Sequence, residues 1–457
     1  MVRTMKAASA MSVAFLLACA SRAPMRAQQD DPADVVRRAI RSGAARSIIL
    51  FVGDGMGDSE ITLARNYAIG AAGRLAMDTL PLTGAYTTYS VEESAPDQPN
   101  YVPDSAATGT AWATGRKTSN GRISTSAGAD RDLKTILELA KERGWRTGNV
   151  STAELTDATP AVLAAHVSNR ACQGPADMAA CPQDRKAVGG PGSIAEQLVD
   201  HGIDVLLGGG ASRFAQTTDR GETVLAGAVA RGYRVVRTAG ELAAVTSGGP
   251  VLGLFAPGNL PVEWSGTGAL PYPSNVADPQ RCRTDGRPAD QPSLESLTAK
   301  ALELLDRAGD RGGFFLQVEG ASIDKQDHAA DPCGQIGETV AFDRAVGVGV
   351  AYAMAHPDTL LVVTADHAHS SQIVGAQSDG QHATGLVSAL RTNEGGVLTV
   401  SYGTSAYHGS QEHTGSQVRI AAMGPQAWRV LGHLDQTDLF HILRRALGVE
   451  DDSAGGH

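Results

Sequence analysis

Carboxylates and imidazoles collect at the ends of apolar runs in this chain. The run Phe314 to Val318 is short enough for a buried strand, and Glu319, Asp324, Asp327 and His328 follow it within ten positions. Asp324 and His328 stand four apart, so a helical turn puts both on one face. A carboxylate and an imidazole sharing a face at the end of a buried strand can hold a divalent metal. The rival reading is a solvated acidic loop. The same grammar recurs where Leu360 to Val363 leads into Asp366-His367-Ala368-His369. It recurs again where Ile48 to Val52 ends in Gly53-Asp54-Gly55-Met56-Gly57. Those glycines lack dinucleotide-fingerprint spacing, and taken alone Asp54 could equally cap a helix.

A second kind of chemistry is offered by Ser105. The stretch Pro103-Asp104-Ser105-Ala106-Ala107-Thr108-Gly109 reads as the start of a helix capped by Asp104 or Ser105. A serine at a helix N-terminus lies where backbone N–H groups and the helix dipole favour anions, which suits attack on phosphate. A bare N-cap is the commoner job of such a serine. No Gly-x-Ser-x-Gly elbow surrounds it, so a metal ion is the alternative way to activate the hydroxyl. Asp157-Ala158-Thr159-Pro160 adds hard oxygens suited to Mg²⁺. Arg170 adds a planar fork that can clamp two phosphate oxygens, although a lone arginine is more often a surface charge.

Strands must carry these residues. Ser47 to Val52, Asp204 to Leu207, Phe314 to Val318 and Leu360 to Val363 are continuous apolar or nearly apolar runs, Thr147 to Ser151 reads as a further strand, and helix-like stretches separate them, the pattern of a parallel α/β sheet. Residues 84–92 alternate as a strand does, and Val418 to Met423 reads as the final strand. Helices are expected over Leu133 to Arg143, Ile194 to Val199, Ser293 to Ala308 and Asp435 to Leu447. Residues 171–192 read as a loop and 256–292 as a long surface excursion. In a parallel sheet the strand ends share one edge, where ligands gather. His328, His367 and His413 with Asp324 and Asp366 then form a nitrogen and oxygen set suited to zinc, and Asp54, Thr159 and Glu319 an oxygen-only set suited to magnesium. Two zinc ions about 3.5–4 Å apart can clamp the attacking and leaving oxygens of an in-line displacement.

Composition narrows the setting. The 457 residues carry a formal net charge of −10 and no long basic run, which argues against a nucleic-acid-binding surface. Residues 1–20 read as a signal peptide: Arg3 and Lys6, an apolar stretch from Ala10 to Leu17, then Ala18-Cys19-Ala20. The stretch is too short to be a transmembrane segment. Periplasmic or secreted export is favoured, with lipid anchoring through Cys19 as the alternative. Residues 21–43 read as a linker or N-terminal arm, 374–410 as an inserted unit, and 449–457 as a flexible tail. Beyond Cys19, Cys172, Cys181, Cys282 and Cys333 remain; exported cysteines pair, and four allow three connectivities, of which the local one, Cys172–Cys181 and Cys282–Cys333, is expected.

Taken together, Gly53-Asp54-Gly55-Met56-Gly57-Asp58-Ser59, Pro103-Asp104-Ser105-Ala106-Ala107, Asp157-Ala158-Thr159-Pro160, Val318-Glu319-Gly320-Ala321-Ser322-Ile323-Asp324-Lys325-Gln326-Asp327-His328, Thr364-Ala365-Asp366-His367 and Glu412-His413-Thr414-Gly415 resemble bacterial alkaline phosphatase over residues 44–448. The resemblance implies a three-layer αβα sandwich with a central, mostly parallel sheet and a small crown subdomain at 374–410. It implies a non-specific phosphate-monoester hydrolase that releases inorganic phosphate and an alcohol through a phosphoserine intermediate, with two Zn²⁺ and one Mg²⁺. Ser105 would be the nucleophile. Asp324, His328 and His413 would hold one zinc, and Asp54, Asp366 and His367 the other. Asp54, Thr159 and Glu319 would hold magnesium, with Asp157 orienting its waters. Arg170 would bind phosphate, steadied by Asp104 and assisted by Lys325. His369 would stand beside the ligands in support. The resemblance also implies the local disulfide pairing and a homodimer. The rivals are a phosphodiesterase or sulfatase on the same scaffold, and a non-catalytic exported zinc- or phosphate-binding protein. Ser105-Ala106-Ala107 lacks the x-Pro-x-Arg sequel of a sulfatase.

Overall fold

The apolar runs lie side by side. The computed structural model describes residues 31–246, 248–274, 276–306, 312–375, 385–405 and 410–449. The leader with Cys19, and the segments 376–384, 406–409 and 450–457, lie outside the described residues. Ten strands form the main sheet: β1 (Ser47–Gly53), β2 (Leu82–Thr87), β3 (Arg146–Glu154), β4 (Val205–Gly209), β5 (Arg234–Val236), β6 (Val251–Leu254), β7 (Phe314–Gly320), β8 (Thr359–Ala365), β9 (Val418–Met423) and β10 (Gly432–Asp435). Their spatial order is β10-β2-β9-β8-β1-β7-β3-β4-β6-β5. All neighbours run parallel except β9, which is antiparallel to both β8 and β2. Every residue of β1, β7 and β8 is buried, so these strands need cover on both faces. Helices α2 (Asp58–Ala68), α7 (Leu294–Leu305) and α9 (Pro332–Ala355) form one packed group, and α3 (Ser105–Thr114), α4 (Ile136–Glu142) and α10 (Thr437–Ala446) another.

Register explains the site. Gly53 of β1 is level with Gly320 of β7 on one side and Ala365 of β8 on the other. Asp54 and Asp366 are therefore the next residues off two adjacent strands, and Glu319, level with Val52, is one step back. Glu319 is level with Ser151 of β3 on its far side.

Several expectations shift. Within the expected linker or N-terminal arm lies a helix, α1 (Pro32–Ala39), capped by Asp31. The strand expected over 84–92 starts at Leu82, stops at Thr87, and is followed by a two-residue pairing of Ser90–Val91 with Pro99–Asn100. β9 is not the last strand: Gly432–Asp435 adds to the outer side of β2. Its four residues are exposed or half-buried, so it carries no apolar signature. Val449 packs partly buried on the core instead of joining a tail. A separate four-stranded sheet joins Ser371–Val374, Val397–Tyr402, Leu386–Arg391 and Leu270–Pro271. It begins before residue 374 and recruits a strand from the excursion over 256–292. Both disulfides form, Cys172–Cys181 and Cys282–Cys333. The second closes 51 residues and ties α9 to that excursion, a loop length that constrains the unfolded chain by about 4 kcal/mol in the chain-entropy model.

Candidate active site

Helix α3 delivers Ser105. Asp104 caps it by accepting from Ala107 N at 3.0 Å, and all ten helical residues are buried. Small residues let it approach closely: a Cβ on Gly109 would stand 2.9 Å from the Val162 methyls. Trp112 donates from Nε1 to Gln317 Oε1 at 3.3 Å, fixing the helix to β7. Ser105 is thus held at the first turn, with its Oγ 3.2 Å from His367 Nε2 and 3.4 Å from Asp54 Oδ1.

Around this hydroxyl lie two clusters, Asp54–Asp366–His367 and Asp324–His328–His369–His413; in each, one donor atom per residue lies within 4.8 Å of the others. Asp324 Oδ1 has His369 Nε2 and His413 Nε2 at 3.2 Å and His328 Nε2 at 3.4 Å. His328 and His413 face each other with Nε2 atoms 3.1 Å apart. His328 directs Nδ1 at the Gln411 carbonyl and His413 directs Nδ1 at the Pro103 carbonyl. A carbonyl only accepts, so both Nδ1 atoms carry hydrogen and both Nε2 lone pairs point inward. Lone pairs facing one another are repulsive unless a cation sits between them. Four ligands bonded at 2.0–2.1 Å in a tetrahedron stand about 3.3 Å apart, close to these separations. Thr159 Oγ1 is a buried atom with no hydrogen-bond partner, as expected of a ligand atom whose partner is a metal.

Charge gives the same answer. Burial, and then the neighbouring Asp54 carboxylate, push Glu319 and Asp366 well above the usual carboxylate range. A crowd of buried carboxylates is relieved by divalent cations. Burial would also raise Asp324, but the His369 and His413 contacts outweigh it and hold it low. Burial lowers His369 to about 4, so it is a neutral imidazole; its Nδ1 accepts from Ser370 N at 2.9 Å, which leaves the hydrogen on Nε2, 3.2 Å from Asp324 Oδ1. The residues present fit nitrogen- and oxygen-bound zinc at these clusters and an oxygen-only ion near Asp54, Thr159 and Glu319. Glu319 Oε2 accepts from Ser151 Oγ at 2.5 Å.

Two cations gather at Asp157, one of them also bound to Asp104, the residue before Ser105. Arg170 donates from Nη1 to Asp104 Oδ2 at 3.1 Å and from Nη2 to Asp157 Oδ1 at 2.8 Å. Lys325 Nζ meets Asp157 Oδ2 at 2.9 Å. Burial disfavours both cations, yet the Asp157 charge beside them raises both above their ordinary values. Both therefore stay protonated through any ordinary pH. Asp157 itself lies in neither metal cluster: its two oxygens are taken by Arg170 and Lys325, which hold it low against the pull of burial. Gly55 has φ +67°, and a Cβ there would stand 3.1 Å from Asp324 Cα and Cβ. Glycine is needed so that this turn can touch the helix α8 (Ser322–His328) that carries Asp324.

The structure brings Asp54, Ser105, Asp366 and His367 together, sets Asp324, His328 and His413 beside them, and ties Asp104 and Asp157 to Arg170 and Asp157 to Lys325; Glu319 is next to Asp54 by strand register, and Thr159 keeps a buried, unpartnered hydroxyl. His369, expected beside the ligands in support, stands with Nε2 3.2 Å from Asp324 Oδ1 while its Nδ1 accepts from Ser370 N at 2.9 Å. Asp327, noted beside His328, is a buried carboxylate with both oxygens unpartnered. No described helix is long and apolar enough to cross a membrane.

A family model described as alkaline phosphatase matches residues 45–408 and 404–449. A streptomycin-6-phosphate phosphatase of Streptomyces griseus is 57% identical over 422 residues, covering 90% of this chain and 92% of that protein. Alkaline phosphatase H of Pseudomonas aeruginosa is 52% identical over 437 residues, covering 93% of this chain and 90% of its own length. Among solved structures, the alkaline phosphatase of Thermus thermophilus superposes with a TM-score of 0.68 at 25% identity, over 91% of this chain and 94% of that one.

Proposed function

Since the chain belongs to the alkaline phosphatase family and is a phosphatase of that family, we propose that it hydrolyses phosphate monoesters in two displacements at phosphorus with Ser105 as the nucleophile. The observation that carries this reading is the position of Ser105 Oγ, 3.2 Å from His367 and 3.4 Å from Asp54, at a helix N-terminus beside a metal-capable cluster. Zinc held by Asp324, His328 and His413 with His369 at hand, zinc held by Asp54, Asp366 and His367, and magnesium held by Asp54, Thr159 and Glu319 would lower the pKa of hydroxyl groups and stabilise charge on the entering and leaving oxygens.

The chain's own residues do the rest. In the first displacement the Ser105 Oγ–P bond forms as the P–O bond to the alcohol breaks. In the second, a water oxygen bonds to phosphorus and the Oγ–P bond breaks, releasing inorganic phosphate. The first N–H groups of α3 face the phosphoryl oxygens, where the helix dipole favours negative charge. Arg170 offers its fork to two phosphoryl oxygens, aimed in advance by Asp104 and Asp157. Lys325 adds a fixed positive charge, held by Asp157. These residues serve the phosphoryl group and leave the alcohol ungripped, which supports broad selectivity. The 57% identical relative named for streptomycin 6-phosphate favours a second reading, in which an aminoglycoside phosphate is preferred. A kcat/KM for streptomycin 6-phosphate more than about 10² above that for a nitrophenyl monoester would establish the second reading, since that is about as much discrimination as contacts to the alcohol supply. Export and a homodimer belong to the same proposal, checked by the N-terminus of the secreted chain and by sedimentation.

The test of the nucleophile is Ser105→Ala. It should lower turnover of a nitrophenyl monoester by several orders of magnitude, about 10³ or more, while zinc and magnesium content stay as in the wild type. Undiminished turnover at full metal content would remove Ser105 from the mechanism. A nitrophenyl diester run beside the monoester separates the phosphodiesterase rival.

A further inference from the structure

A third cluster lies apart from Ser105, on elements the proposed reaction does not use. Glu138 is on α4, His166 lies in the loop after the short helix α5 (Ala158–Ala161), and His201 ends α6 (Ile194–Asp200). One donor atom of each lies within 4.8 Å of the other two. We propose that Glu138, His166 and His201 form a further divalent-metal site of the zinc class, one that braces α4, α6 and the loop leading to Arg170.

Three observations carry it. First, His166 Nε2 and His201 Nε2 stand 3.3 Å and 3.2 Å from the same oxygen, Glu138 Oε1. Ligands at 2.0–2.1 Å around a tetrahedral ion are separated by about 3.3 Å. Second, both imidazoles already have their tautomer set. His166 Nδ1 lies 3.0 Å from the Ser124 carbonyl and His201 Nδ1 lies 3.0 Å from the Gln197 carbonyl. Each Nδ1 must donate, so each neutral ring turns an Nε2 lone pair toward a carboxylate that has only lone pairs to offer. A metal ion resolves this conflict and uses the arrangement of backbone carbonyl behind histidine that fixes metal-bound imidazoles. Third, the cluster is already built. Glu138 Oε2 accepts from Thr135 N at 2.8 Å in a capping box, and His166 is locked through its backbone to both ends of the Gln197 amide. The His201 side chain is 27% exposed, which leaves a route for the ion and room for water as a remaining ligand.

The rival is a proton in place of the metal, with Glu138 bridging two imidazoliums. Burial lowers His166, but the Glu138 contact outweighs it and raises the ring above its ordinary value. The protonated form therefore gains at acid pH, and alkaline pH separates the two.

The test is zinc stoichiometry of the metal-loaded, full-length protein, equilibrated against micromolar zinc chloride at pH 8 and read by plasma mass spectrometry. Wild type should hold one zinc per chain more than His201→Ala and one more than Glu138→Gln, with nitrophenyl phosphatase turnover within about twofold in all three, a change worth under 0.5 kcal/mol. Equal zinc content in wild type and both variants overturns the site. Glu138→Gln keeps an oxygen for the Thr135 cap, so folding is preserved if His201→Ala misfolds. Anomalous scattering at the zinc edge gives the second reading: a peak between the three side chains supports the site, and its absence from zinc-equilibrated wild-type crystals overturns it. Because the comparison holds turnover constant, its failure leaves the Ser105 mechanism standing, and failure of that mechanism leaves the brace standing.

Discussion

Arg170→Ala should weaken inorganic phosphate binding by about 10². The guanidinium spends one N–H on Asp104 at 3.1 Å and one on Asp157 at 2.8 Å, which leaves donors for two phosphoryl oxygens out of the five it carries. Each charge-assisted hydrogen bond contributes about 1.5–3 kcal/mol. The side chain is 32% exposed, so solvent screens part of this and the low end applies, about 3 kcal/mol for the pair, which is about 10² in affinity. Folding should survive the change. Asp157 retains Lys325 at 2.9 Å, and Asp104 still accepts from Ala107 N and Gly121 N, both at 3.0 Å. The assay is the product-inhibition constant of phosphate against nitrophenyl phosphate hydrolysis, on protein with verified metal content. Arg170→Lys should fall between, losing about 10-fold, since it keeps the charge and loses the planar fork. An inhibition constant for Arg170→Ala within twofold of wild type would refute the clamp.

Two further substitutions probe the scaffold. Gly55→Ala should destabilise the fold by about 1–3 kcal/mol through its left-handed φ and the intrusion on Asp324, and should lower zinc content, because Gly55 N also donates to Asp366 Oδ1 at 2.9 Å; full zinc occupancy with unchanged melting would show that this turn does not shape the site. Glu338→Gln tests a buried acid away from the chemistry. Burial raises the Glu338 carboxyl to about 8, against the opposing hydrogen bond from Glu263 N at 2.7 Å. Between about 4.5 and 8 the folded chain keeps a proton that the unfolded chain has lost, so the wild type loses stability as pH rises across that window. The amide has no charge to bury. The melting temperature of Glu338→Gln relative to wild type should therefore climb from pH 5 to pH 9, and a difference independent of pH would show that Glu338 does not titrate there.

Much of the site is legible in the sequence because its strands are continuous apolar runs that stop at their ligands. Asp54, Glu319 and Asp366 each sit within one position of a strand's last residue, and one shared register brings them together. Asp324 and His328 follow from helical spacing alone. What sequence does not show is set by long-range contact. The pairing of Asp157 with both Arg170 and Lys325 joins residues 13 and 168 positions apart, which no spacing encodes. Gly432–Asp435 joins the sheet through backbone pairing to β2 with no apolar pattern of its own. Leu270–Pro271 pairs with Leu386–Arg391 across more than a hundred residues. Glu138, His166 and His201 are far apart in the chain and meet only through tertiary packing.

Stereochemistry at phosphorus tests the double displacement most directly. A monoester made chiral with oxygen isotopes is turned over in the presence of an acceptor alcohol, and the configuration of the transferred phosphoryl group is read. Two in-line steps through Ser105 each invert phosphorus, so overall retention is expected. Net inversion would mean a single direct displacement, and Ser105 would then be no nucleophile at all.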